Sequence, residues 1–119
     1  LGLQQAKERL EQEVATLTTQ SAGLRENYNL NQTNLTAKKA ELDAKKLELR
    51  NHAPRTPDFA RIVGEIRVLD REIENIEDQL KRLNRQLAPI DAQIASKNQQ
   101  ISQYAAAITA NDTTRTQLQ

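Results

Sequence analysis

The chain has 119 residues, 37% apolar and 28% charged, with a mean hydropathy of −0.77. One Phe, two Tyr and no Trp are too few rings for a single large globular core, and the lack of Cys excludes disulfides, thiolate metal sites and a cysteine nucleophile. Seventeen basic against sixteen acidic residues give a net charge of +1, so no global field draws in nucleic acid or an anionic membrane, and His52 alone cannot build a histidine metal site or a triad.

The opening stretch, LGLQQAKERLEQEV, lacks the apolar core of a secretory leader, and no apolar run nears the roughly 18 residues that span a bilayer. The absence of Met leads to the expectation that Leu1 begins a piece of a larger protein.

The first predicted element is a helix over about 2–51. Its apolar residues alternate three and four apart, the spacing of a coiled-coil seam rather than of a strand. One register runs Lys7, Val14, Ser21, Tyr28, Leu35, Leu42, Leu49; the other runs Leu3, Leu10, Leu17, Leu24, Asn31, Lys38, Lys45. The next element is a turn over about 52–57, set by Pro54 and Pro57. Pro54 pushes its predecessor out of the α region, while Thr56 and Pro57 suit an N-cap and a first helical position. A second helix is predicted over about 58–110, with a far stronger seam. Its registers are Phe59, Ile66, Ile73, Leu80, Leu87, Ile94, Ile101, Ile108 and Ile62, Leu69, Ile76, Leu83, Ile90, Lys97, Tyr104, Asn111. Residues 91–119 carry only Asp91, Lys97, Asp112 and Arg115 as charges, and Asn111-Asp112-Thr113-Thr114 points to a frayed tail over about 111–119.

Two equal amphipathic helices joined by a short turn predict an all-α fold, a long antiparallel coiled-coil hairpin occupying the whole chain as one domain. Folding back explains the lysines in the first seam. Lys45 falls beside Glu65, Lys38 beside Glu72, Lys39 beside Asp70 and Asn31 beside Gln79, pairs suited to setting the register. Pro89 interrupts the second helix opposite the Ser21-Ala22-Gly23 stretch, which predicts an elbow near Pro89 and Gly23. A second stripe on the first helix, Leu30, Ala37, Ala40, Ala44 and Leu47, lies roughly opposite the seam and is the candidate oligomer face, with pairing into a four-helix bundle as the expectation.

Chemistry is sparse. Acids such as Glu77, Asp78 and Glu41 have i,i+4 partners in Lys81, Arg82 and Lys45, and no Gly-rich phosphate loop occurs. Neither catalytic residues, nor a cofactor, nor a metal site is expected. Arg50, His52, Arg55 and Arg61 cluster around the turn and are the candidate tip contact for phosphate or an acidic surface, although a nucleic-acid arm ordinarily carries a longer basic stripe and stacking aromatics. In outline the pattern resembles the hairpin arms of chromosome-structure ATPases, of seryl-tRNA synthetase, of type III secretion translocators and of periplasmic efflux adaptors, with no motif that ties it to any one of them. The expectation is a non-catalytic structural and protein–protein interaction module, a stalk or arm whose partners are other helices or its own copies. The alternative is a nucleic-acid-contacting arm of an enzyme or chromosome-structure ATPase, acting through the basic turn.

Overall fold

The computed structural model describes residues 2–118. Helix α1 spans Gly2–Leu49 and helix α2 spans Pro57–Leu118, with no strand among the described residues. The two fold back on each other as an all-α helical hairpin. Neither helix is long and apolar enough to cross a membrane.

The turn is built from local hydrogen bonds. Helix α1 tightens at its end, where Arg50, Asn51 and His52 donate backbone N–H groups to the carbonyls of Leu47, Glu48 and Leu49 three residues back. These bonds stop α1 at Leu49, two residues before the sequence-based boundary of 51. Arg55 then takes a left-handed conformation, φ 72°, which reverses the chain. Thr56 closes the turn from both sides: its Oγ1 donates to the Ala53 carbonyl at 2.7 Å and accepts the Phe59 N–H at 3.2 Å. That makes Thr56 the N-cap of α2, with Pro57 first in the helix, where its missing N–H costs nothing, and Asp58 as an acid in the first turn.

The far end of α2 differs from the sequence expectation. In place of a frayed tail from 111, the helix runs through Asn111-Asp112-Thr113-Thr114 to Leu118. The hydroxyls of Thr113, Thr114 and Thr116 donate to the carbonyls of Thr109, Ala110 and Asp112 within the helix, so these residues stay in it rather than breaking it. Residue 119, the end of the expected tail, lies outside the described residues. Both helices also run unbroken past Gly23 and Pro89.

The hairpin divides into two compact units, Arg25–Arg85, and Leu1–Leu24 with Gln86–Gln119. The Arg25–Arg85 unit holds the turn and most of the deeply buried side chains: Ile62, Leu69, Ile73, Ile76, Leu80 and Leu83, all on α2, with Ile62 fully enclosed. Its α1 residues on the seam, Tyr28, Asn31, Leu35, Lys38, Leu42, Lys45 and Leu49, are each half-buried. The other unit is more open. Leu87 and Ser21 are buried there, whereas Ile90, Ile94, Ile101, Tyr104 and Ile108 keep partial contact with water. Helix α2 thus supplies the apolar row in both units, and α1 covers it with a mixed one. Lysines serve in that cover because the four-carbon stem lies on apolar surface while the ammonium reaches the edge.

Candidate functional site

Three Lys–Glu ion pairs at 2.6 Å bridge the two helices along the seam. In the Arg25–Arg85 unit, Lys45 Nζ lies 2.6 Å from Glu65 Oε2 and Lys38 Nζ 2.6 Å from Glu72 Oε2. In the other unit, Lys97 Nζ lies 2.6 Å from Glu13 Oε2. The two residue numbers add to 110 in every case, one register expressed three times. In each pair the lysine occupies a seam position and the acid its flank, so the lysine stem is already held by packing before the ion pair forms.

In the Arg25–Arg85 unit the contacts of Glu65, Lys45, Lys38 and Arg61 shift their ionisations. The hydrogen bond to Lys45, reinforced by one to Arg61, holds the Glu65 carboxyl below its ordinary value against the opposing effect of desolvation. Glu65 Oε2 is itself shut off from solvent, with the Lys45 ammonium as its partner. Lys45 is raised chiefly by its hydrogen bond to Glu65, and Lys38 chiefly by its hydrogen bond to Glu72. Arg61 is raised by its 2.8 Å contact to Glu65. Every resolved shift strengthens the charged form, the reverse of what proton transfer near neutrality requires. A groove of about 540 Å³ runs along these residues, with Gly64 and the exposed Val68 on its α2 side.

Not every expected pair forms. Lys39 and Asp70 are both exposed and no ion pair joins them. Unlike Lys38 and Lys45, Lys39 has no stem resting on the seam, so closing the pair would cost rotamer freedom that a screened surface contact does not repay. Asn31 turns to its own helix and donates to the Asn27 carbonyl and side-chain oxygen, both at 2.9 Å, instead of meeting Gln79. The i,i+4 pairs expected at Glu77/Lys81, Asp78/Arg82 and Glu41/Lys45 are absent among the described residues. Lys45 contacts Glu48 and Glu65 instead, and Lys7–Glu11 and Arg61–Glu65 form. Sequence reasoning missed Glu13–Lys97 and the 3.3 Å bond from the buried Ser21 hydroxyl to Asp91. The signal for the first was present, since Lys97 breaks the apolar register and Glu13 sits at the matching position.

At the tip, Arg61 is drawn back among Glu65, Asp58 and Glu48, and His52 Nδ1 lies 3.9 Å from Asp58. Arg50 and Arg55 stay exposed with no ion pair among the described residues. The tip therefore presents two outward arginines rather than a converging basic cluster. No group of three or more His, Cys, Asp or Glu among the described residues could hold a metal ion.

The candidate oligomer face is fully outward. Leu30 is 65% and Leu47 59% exposed, and Ala37, Ala40 and Ala44 between them are exposed too. Leu30, Leu47 and Val68 are the large apolar side chains most exposed among the described residues, and all three lie in the Arg25–Arg85 unit. The fold and these surfaces define a helical hairpin of the coiled-coil class. Comparison with protein-family models, curated proteins and solved structures gives no significant match.

Proposed function

We propose that the chain is a non-catalytic structural and protein–protein interaction module, a helical stalk that works through its surfaces. The observation that carries this reading is the shared register of the three Lys–Glu pairs, 38/72, 45/65 and 13/97. Charges matched to one register along the seam serve alignment of two helices, and the shifts at Lys38, Lys45 and Glu65 favour their charged forms. The unsatisfied apolar surface around Leu30 and Leu47 adds a place for another helix.

The competing reading, a nucleic-acid arm, rests on Arg50, His52, Arg55 and Arg61 as the tip contact. The two readings separate in a binding titration of the full chain with duplex and single-stranded DNA and RNA at low salt. A structural module shows negligible binding that does not change when Arg50, Arg55 and Arg61 are replaced by Ala. Salt-sensitive binding lost in that triple variant overturns the proposal in favour of the arm.

A further inference from the structure

We infer that the outer face of α1 between Leu30 and Leu47 binds the same face of a second copy, antiparallel. The inference rests on the interaction-module reading and names its partner.

The face is a second heptad seam. Leu30, Thr33, Ala37, Ala40, Ala44 and Leu47 alternate three and four apart with no charge among them. At 1.5 Å per residue the seam is about 26 Å long, and at 3.6 residues per turn it sits about 160° around the helix from the seam that meets α2. Thr33 presents little polarity to it, because its hydroxyl already donates to the Asn29 carbonyl at 3.0 Å. The leucines at the ends are mostly exposed, while small residues fill the middle, which lets two helices approach at the short end of the usual 8–10 Å range.

Two features select a second copy. The pattern is nearly the same in both directions, with Leu at each end and alanines around the centre. An antiparallel pair about a two-fold axis between residues 38 and 39 therefore sets Leu30 against Leu47 of the second copy, Ala37 against Ala40 and Thr33 against Ala44. That is the self-complementarity an isologous interface needs. The charges on the flanks agree. Antiparallel pairing places Asp43 across from Thr36 and Glu41 across from Asn34, acids facing neutral residues. Parallel pairing would set Asp43 beside Glu48 of the second copy, acid against acid.

Because this seam is nearly opposite the one used within the hairpin, it cannot share a core with it. The four helical segments of the pair lie in a row with three successive seams, with the two α1 segments innermost, rather than in a square bundle.

Sedimentation of the full chain from micromolar to millimolar concentration tests the pairing, with circular dichroism as the folding control. The wild type forms a dimer. Leu30→Glu and Leu47→Glu, both at exposed positions where a lone hairpin tolerates them, each weaken it at least about 100-fold, since either change puts a carboxylate at both ends of the seam. Orientation is read from disulfides, the chain having no Cys of its own. A mixture of Ala37→Cys and Ala40→Cys cross-links between the two variants, as antiparallel pairing demands. Monomer throughout the range, with helicity intact, overturns the inference and leaves the hairpin reading standing, as does a dimer insensitive to both Glu variants. Cross-linking of each Cys variant only with itself overturns the antiparallel arrangement.

Discussion

Ile62 is the only fully enclosed large side chain among the described residues, and it lies one turn into α2 beside the chain reversal. Ile62→Ala removes three carbons from a site with no access to water. At about 0.8 kcal/mol for each buried carbon the transfer part is about 2.4 kcal/mol. A residual cavity adds to that, because capped and proline-bounded helix ends next to the site limit how far it can collapse. The expected cost is about 3 kcal/mol, or roughly 12 °C in Tm for a chain of this length. Ile101 also lies on the α2 seam, in its other register, but keeps contact with solvent, so Ile101→Ala should cost about 1 kcal/mol, its cavity open to water. Urea unfolding followed by circular dichroism gives the total. Hydrogen exchange resolved along the chain then assigns each loss, since two compact units need not open together. A cost below about 1 kcal/mol for Ile62→Ala, or equal costs at the two sites, would refute the claim that stability concentrates in the Arg25–Arg85 unit.

Glu65 is held below its ordinary value of 4.5, so its pairing contributes above that pH and is lost as the pH falls beneath it; Lys38 and Lys45 are held above 10.5, and their contribution fades as the pH rises past that value. Tm should therefore be flat between these limits at low salt, and Glu65→Gln should lower the plateau and shallow the acid limb. Arg55 adopts φ 72° without being glycine, so Arg55→Gly should raise stability by about 0.5–1 kcal/mol in denaturant unfolding. Pro89 is exposed inside α2, and Pro89→Ala should stabilise by about 2–3 kcal/mol with slower amide exchange around position 89. Gly23→Ala, whose added carbon meets nothing within 4 Å, should gain about 0.5–1 kcal/mol, and a loss instead would show that the glycine serves a role beyond helix propensity.

The hairpin is legible in the sequence because α2 repeats Ile and Leu at a strict heptad spacing and Thr56-Pro57 is a strong helix start. Helix α1 is legible only through α2: Ser21, Lys38 and Lys45 look like errors in a seam until a facing helix gives each something to bind. What escaped was what local context decides. The stop at Leu49 depends on three tightened backbone bonds, and the reversal depends on an arginine in a conformation usually left to glycine. The continuation past Asn111 depends on threonine hydroxyls choosing their own helix. Among the ion pairs, spacing alone could not tell Lys38 from Lys39; stem packing on the seam separates the bonded lysine from the free one.

Register is the property for which the Glu13–Lys97 pair matters most. A slip of one heptad toward the turn would move Lys38 onto Glu65 and Lys45 onto Asp58, so those two lysines tolerate it, but it sets Lys97 against Ala6. A slip the other way keeps Lys45 on Glu72 while placing Lys38 against Gln79 and Lys97 against Gln20. Only the observed register satisfies all three lysines. Each pair is a partly exposed contact worth little stability on its own. Their value is in the difference they create between one alignment and its neighbours, because a heptad-repeating Ile and Leu seam is nearly indifferent to sliding by seven. The apolar row on α2 drives the two helices together, and the lysines, one of them on the opposite helix from the other two, decide where they stop.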